Sequence, residues 1–198
     1  MKVGSQSPMI KSTDNKYSNS SILLETGKLS YEWALGTMKI IAKIREKYER
    51  SKPLSDFNLG FCLHITKETS ILLMAAKALG ANISICSANP LSVKEDIVEF
   101  LQYNEINVFA TKNQTKKEFF NNIRKVVNTN PDIITDDGAE LHSFAHKRQI
   151  KSIIGGTEET TSGILRILSR QSKNKLNYAI IGVNDAKTKH LFDNRYGT

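Results

Sequence analysis

Short apolar runs recur along this chain at a spacing of about 25 residues, and a stretch of helical periodicity follows most of them. The runs at 57–63, 82–86, 107–110, 132–134, 150–154 and 178–183 have strand length and turn residues at their ends. The intervening stretches carry helix punctuation. Thr66 is placed to cap a helix that runs through Leu79 and stops at Gly80. Ser92-Val93-Lys94-Glu95 and Thr115-Lys116-Lys117-Glu118 have the capping-box form and open helices that reach about Tyr103 and Asn128. Further helices are expected at 138–147 and 163–172. Strand, helix and strand at this spacing require right-handed crossovers, which place helices over both faces of a buried, mainly parallel sheet. The fold class is therefore α/β, a Rossmann-like three-layer domain with a mainly parallel sheet flanked by helices.

Ahead of the first strand, Leu29, Trp33, Leu35, Met38, Ile41, Ala42 and Ile44 recur at steps that suit one long helix over about 24–51, ended before Pro53. Residues 1–21 are polar, rich in Ser and Asn, and lack the apolar core of a secretory leader, so they are read as a disordered tail. Residues 22–198 form the folded domain. A chain of 198 residues can bury roughly 70% of its unfolded surface. Its longest apolar runs, such as Ile71 to Ala76, fall far short of the roughly 20 residues that cross a bilayer, so no membrane partner is expected. Cys62 and Cys86 lie inside apolar segments and read as buried thiols of a reducing compartment, which makes a cytoplasmic location the default.

The 28 basic and 20 acidic side chains leave a formal charge of +8, which raises the question of nucleic acid. Residues 164–198 carry seven basic and two acidic groups, whereas 136–163 carry three and five. The excess therefore sits near the ends, and the middle of the chain is locally acidic. No aromatic RNA-binding signature or Cys/His finger spacing accompanies it, so nucleic acid is not an expected partner.

Ligands of parallel α/β sheets collect where chain leaves the carboxyl ends of the strands. The unusual polar clusters fall there: His64-Ile65-Thr66, Ser87-Ala88-Asn89-Pro90, Asp136-Asp137-Gly138, 155–161 and Asn184-Asp185. The 11 glycines are spaced so that neither GxGxxG nor a P-loop can be written, and no GxSxG elbow occurs. His142 and His146 have the spacing of a zinc pair but lack the Glu of HExxH and a third ligand, so no metal is assigned. Asp136-Asp137 can hold a ribose hydroxyl, a metal or a raised-pKa proton, or simply cap a helix. Glu158 to Gly163 sets two carboxylates and three hydroxyls at a helix start, suited to a polyhydroxyl or phosphate-bearing ligand. Lys189 and Asp193 are four apart beside Asn194, either a base with its partner or a surface ion pair.

Taken in order, Cys62-Leu63-His64-Ile65-Thr66-Lys67-Glu68-Thr69, Ser87-Ala88-Asn89-Pro90-Leu91-Ser92, Asp136-Asp137-Gly138, Gly155-Gly156-Thr157-Glu158-Glu159-Thr160-Thr161-Ser162-Gly163, and Val183-Asn184-Asp185 through Lys189 to Phe192-Asp193-Asn194-Arg195-Tyr196-Gly197 resemble the substrate-binding half of adenosylhomocysteinases. The likeness covers about 22–198, and the forms NPLS and LFDNRYGT look closest to archaeal members. It implies reversible cleavage of S-adenosyl-L-homocysteine to adenosine and L-homocysteine, with NAD as cofactor. In that chemistry the ribose 3′-OH is oxidised, the 4′ proton is lost, homocysteine leaves from C5′, water adds and the ketone is reduced again.

The resemblance further implies site roles. Lys189 would be the base on the 3′-OH, oriented by Asn184 and Asp193. Glu159 and Asp193 would hold the ribose hydroxyls, Asp137 and His64 would be the acid/base groups near C4′ and C5′, Thr66 would touch substrate, and Glu68 would read the adenine amino edge. Thr160, Thr161, Ser162 and Asn194 match positions that contact NAD, with Ser162 in place of the usual Thr. Ala139 and Glu140 stand where Gly and Asp are common. The family continues past this region into a Rossmann NAD domain and assembles as homotetramers, so this chain is expected to supply the substrate-binding part and to be inactive by itself. Two other readings stay open: a standalone, non-catalytic adenosine-binding or regulatory module, and an S-inosylhomocysteine hydrolase. Glu68 argues for adenine, because a carboxylate accepts from an exocyclic amine and repels a carbonyl.

Overall fold

The computed structural model describes residues 13–191. Six strands form one all-parallel sheet: β1 (Asn58–Leu63), β2 (Asn82–Ser87), β3 (Asn107–Phe109), β4 (Ile133–Asp136), β5 (Gly155–Glu158) and β6 (Ala179–Gly182), in spatial order β3-β2-β1-β4-β5-β6. The chain first builds outward from β1 to β3 and then returns to lay β4 on the other side of β1. In sheets with such a reversal, ligands bind in the crevice outside the carboxyl ends of the strands at the switch point, here between β1 and β4.

The helices are α1 (Thr13–Thr37), α2 (Lys39–Tyr48), α3 (Lys67–Ala78), α4 (Glu95–Tyr103), α5 (Lys116–Val127), α6 (Glu140–Lys147), α7 (Thr161–Gln171) and α8 (Lys187–Leu191). One face of the sheet presents Leu59, Phe61, Leu63, Ile83, Ile85 and Val108 to a core shared with Tyr31, Ile71, Leu73, Ile97 and Leu101 from α1, α3 and α4. The opposite face presents Cys62, Cys86 and Ile134 to Ile123, Val126, Leu141 and Ala145 from α5 and α6. The three-layer α/β arrangement is the expected one. No helix among the described residues is long and apolar enough to cross a membrane. Both cysteines are free and buried, and the Cys62 thiol is pushed up first by its hydrogen bond with Cys86 and then by burial. Buried, protonated thiols of this kind are packing groups.

Local signals explain most boundaries. Thr66 caps α3 by accepting from the Thr69 N–H at 3.4 Å, and the chain leaves that helix through Gly80 at φ +102°. Thr115 and Glu118 form both bonds of a capping box at α5. Four expectations need correction. The helix expected over 24–51 is two helices broken at Met38, because Gly36 weakens the helix and the Thr37 hydroxyl takes the Ala34 carbonyl at 2.8 Å. Helix α1 also begins at Thr13, inside the segment read as a loose tail, where the Ser20 hydroxyl bonds Glu99 of α4. At Gly27, α1 crosses α4 so closely that a Cβ would lie 2.1 Å from the Asp96 carbonyl oxygen. The other two corrections bear on the site.

The fifth strand is not 150–154 but Gly155–Glu158. Ile153 is core and Ile154 is exposed, and the ladder starts where the Ile154 N–H donates to the Asp132 carbonyl at 2.8 Å. Glycine is needed here because a Cβ at Gly156 would meet His142 Cε1 at 2.5 Å and the Ile134 carbonyl oxygen at 2.7 Å. Finally, Ser92 does not open a capping box. Helix α4 starts at Glu95 with Lys94 before it, and Ser92 closes a 3-10 turn, Pro90–Ser92, that projects its hydroxyl toward His64.

Candidate functional site

The doubled acids Asp136-Asp137 and Glu158-Glu159 end neighbouring strands, and the two-residue repeat of a strand sends their members to different places. Asp136 and Glu158 are in register and fully buried on the α6 side. Asp137 and Glu159 lie one position on, at the carboxyl edge, where the Asp137 N–H donates to the Cys62 carbonyl and the Glu159 N–H to the Asp136 carbonyl, each at 3.0 Å. The pairs therefore divide into an inner tier that holds the loops and an outer tier that faces the crevice.

The outer tier is led by His64, which follows β1. Its Nε2 is 3.2 Å from Asp137 Oδ2, and its Nδ1 is 2.6 Å from the Ser92 hydroxyl. Burial pushes the Asp137 carboxyl up, opposed by His64; Glu158 pushes further up and Lys189 down. Helix α8 delivers Lys189, whose Nζ donates to the Glu159 carbonyl and, at 3.2 Å, to Asn184 Oδ1. Asn184 is buried, and its Nδ2 donates to Thr161 Oγ1 at 3.1 Å and to Asp185 Oδ1 at 3.2 Å. Two bonded groups, His64 with Asp137 and Lys189 with Asn184 and the Glu159 carbonyl, thus lie at the ends of β1, β4, β5 and β6, related by the pull of Lys189 on the Asp137 carboxyl. Thr66 is engaged as the α3 cap, and Glu68 is exposed in the first turn of that helix, 3.9 Å from Lys67 Nζ. Asp193 and Asn194 lie outside the described residues.

The inner tier centres on Glu158, whose two oxygens accept four bonds. They come from the N–H groups of Gly138 (2.8 Å), Ala139 (3.0 Å) and Thr160 (3.0 Å), and from the Thr160 hydroxyl (2.7 Å). The Thr160 hydroxyl also accepts from the Gly163 N–H and so caps α7. Gly138 and Ala139 have φ of +95° and +60°, a left-handed pair that aims both N–H groups at this carboxylate. Asp136 accepts from the N–H groups of Asp137 and His142 at 2.9 and 2.8 Å. The helix-capping role considered for it is thus met at His142, inside α6.

His142 faces the core, one of the two settings, solvent or core, open to a helix-face histidine. Its Nε2 lies 3.1 Å from the Thr157 carbonyl, which can only accept, so that nitrogen carries the proton. Its Nδ1 then accepts from the Tyr178 hydroxyl at 3.0 Å. Burial lowers its pKa to about 4, which keeps this neutral form. Asp136, His142 and Glu158 bring possible ligand atoms within 4.8 Å of one another. Because Glu158 is filled by four donors and His142 by two partners, the cluster works as a hydrogen-bonded core.

Burial lifts the Asp136 pKa to about 7, with the His142 N–H opposing and Glu158 adding to the rise. Between about pH 4 and 7 the folded state then holds this proton and the unfolded chain does not, so this group's contribution to stability falls as pH rises. His142 acts with the opposite sign over its own window, from about 4 to 6.5. Asp136→Asn removes only the first effect. Its stability relative to the parent chain should therefore improve by roughly 3 kcal/mol from pH 4 to 7 in urea melts. A difference independent of pH would show that Asp136 titrates alike in both states.

A model of the S-adenosyl-L-homocysteine hydrolase family matches residues 17–149 and 142–195. The chain belongs to that family. An adenosylhomocysteinase of Sulfolobus acidocaldarius is 42% identical over 177 residues, covering 89% of this chain and 43% of that protein. One from Aquifex aeolicus is 40% identical over 180 residues, with the same two shares. An S-inosyl-L-homocysteine hydrolase of Methanococcus maripaludis is 40% identical over 179 residues, again with those shares. This S-adenosyl-L-homocysteine hydrolase family chain therefore spans less than half the length of these relatives.

Sequence reasoning missed Ser92, Tyr178 and the separate role of Glu158. Strand alternation was the available signal for Glu158. In an acid doublet at a strand end, one member must point inward.

Proposed function

We propose that this chain supplies the substrate-binding part of an enzyme that reversibly hydrolyses S-adenosyl-L-homocysteine to adenosine and L-homocysteine. The observation that carries the reading is the set of His64, Asp137, Glu159, Asn184 and Lys189 at the crevice between β1 and β4, in a chain of this family. Each group suits one need of the nucleoside. The Lys189 amine, with N–H bonds directed at the Glu159 carbonyl and Asn184 Oδ1, has its one remaining position for a ribose hydroxyl and its proton. Glu159 and Asp193 would hold the ribose hydroxyls. His64 and Asp137 would hold and move a proton near C4′ and C5′. Thr66 and Glu68 open α3 beside His64, in position for the base end of the ligand.

NAD is the cofactor proposed, supplying hydride exchange with the ribose C3′ when bound. Thr161 and Ser162 are exposed at the start of the 11-residue α7; the Thr161 hydroxyl accepts from Asn184 and the Ser162 hydroxyl donates to Thr160 at 3.4 Å, and the capacity each retains suits contacts to such a group. Thr160 instead spends its hydroxyl on Glu158 and Gly163. Asn194 would add a further contact. The active assembly would be a homotetramer in the cytoplasm, with neither nucleic acid nor membrane as partner.

Calorimetric titration of the 198-residue chain with adenosine and with S-adenosyl-L-homocysteine tests the binding role. Glu159→Gln is expected to weaken adenosine by about tenfold or more, as loss of a charged partner to a hydroxyl implies. Saturable binding that ignores this substitution would move the ribose elsewhere. The identities of the two relative classes, 42% and 40%, do not separate adenine from hypoxanthine. Glu68 favours adenine, and S-inosyl-L-homocysteine as a competing titrant decides between them.

A further inference from the structure

The Ser92 hydroxyl has a single proton and two neighbours that compete for it. One is the Asn89 carbonyl at 2.8 Å, the other His64 Nδ1 at 2.6 Å. A carbonyl oxygen can only accept. Aiming the proton at His64 would press a hydroxyl lone pair against the carbonyl lone pairs at 2.8 Å. The Asn89 carbonyl also accepts from the Ser87 hydroxyl at 2.6 Å and from the Ser92 N–H at 3.1 Å, so three donors converge on it. The turn that carries Ser92 is itself fixed, by Asn89 Oδ1 accepting from the Leu91 N–H at 2.9 Å.

We infer that Ser92, tied to the Asn89 carbonyl, makes Nδ1 of His64 a permanent hydrogen-bond donor and leaves Nε2, the nitrogen facing Asp137, as the only proton-exchanging atom of the ring. Ser92 is then a positioning residue. With Nδ1 always protonated, a neutral ring shows Asp137 a lone pair at 3.2 Å, so the contact favours a shared proton between them, on Nε2 or on Oδ2. His64 and Asp137 therefore form a one-proton unit. It gives up that proton to a ligand atom that gains charge and recovers it when the ligand returns it, with no other bond made or broken. The charged groups acting on the unit are Glu158 in the neighbouring strand and Lys189 on α8, and they oppose each other at Asp137. This deepens the proposed function by naming the atom that moves the proton, and its use in catalysis rests on that reading. The tautomer does not.

Long-range proton–nitrogen correlation spectra of the imidazole-labelled 198-residue chain test the tautomer, with His64 signals identified by their loss in His64→Asn. Across a pH series, Nδ1 of His64 is expected to keep the protonated type of nitrogen shift while Nε2 alone moves to the unprotonated type. In Ser92→Ala the neutral ring should switch to the Nε2–H form, which can donate to Asp137, and Ser92→Thr should restore the original pattern. A neutral ring unprotonated at Nδ1 in the unsubstituted chain, or a Ser92→Ala spectrum identical to it, would overturn the inference. The unsubstituted spectrum decides even if Ser92→Ala does not fold. Adenosine titration of the same samples is read separately, so loss of binding with the tautomer intact counts against the proposed function alone.

Discussion

Replacing Glu158 by Ala is expected to cost about 5 kcal/mol of stability, and replacing it by Gln about 3 kcal/mol. This carboxylate is fully buried, and its removal strands three N–H groups and a hydroxyl that donate to it. Gln is close in shape, yet one of its ends must present an amine. Oε1 takes three donors and Oε2 one, so the amide turns its oxygen to Gly138 and Thr160 and sets its amine against the Ala139 N–H. One bond becomes a clash and the other three lose their charge assistance. At this chain length the Ala variant should melt roughly 10–20 °C lower. Hydrogen exchange at Gly138, Ala139 and Thr160 should accelerate first, because those amides lose their partner. Gly163 leaves no slack for a replacement side chain, since a Cβ there would lie 2.1 Å from Glu158 Oε1. Arg166 also grips this loop through the Gly138 carbonyl and Glu140, but from the exposed side, where such bonds contribute little. An unchanged melting temperature for both variants would mean that the left-handed turn holds itself.

The same carboxylate shows how far the sequence can be read. Strands β1 to β4 and β6 and helices α3 to α6 are legible, because each is an apolar run or a periodic stretch that does locally what the fold needs globally. Strand β5 is not, because Gly-Gly-Thr-Glu is a poor strand by propensity and is chosen for what lies against it: His142 over Gly156 and four donors around Glu158. Propensity sees neither. The break at Met38 is hidden for a related reason, since the apolar period continues through the bend while the Thr37 hydroxyl takes the Ala34 carbonyl. Ser92 was open to misreading because Ser-x-x-Glu is the form of a cap, while the Asn89-Pro90 turn one step earlier had already claimed that serine. Site residues on the outer tier were legible as words shared with a family, and the inner tier that holds them was not.

Lys189 is where the proposed chemistry has most to lose. In a chain that continues through the full length of its relatives and is loaded with NAD, Lys189→Ala is expected to slow oxidation of bound adenosine by on the order of 10²–10⁴-fold, read as NADH absorbance in a single turnover. The amine is anchored at two points, the Glu159 carbonyl and Asn184 Oδ1, so its direction is fixed before any ligand arrives. That anchoring separates two roles. A fixed cation would only attract an electron-rich oxygen, and Lys189→Arg would preserve it. A proton acceptor must be able to lose its own proton, which a guanidinium does not do in proteins. Lys189→Arg should therefore bind adenosine within a few-fold of the parent chain and yet lose oxidation nearly as fully as Lys189→Ala. Asn184→Ala should give an intermediate loss, since it removes one anchor and leaves the amine. Oxidation at the parent rate in Lys189→Arg would make the lysine an electrostatic clamp, and the proton would then have to leave through another group at the crevice, such as His64 with Asp137.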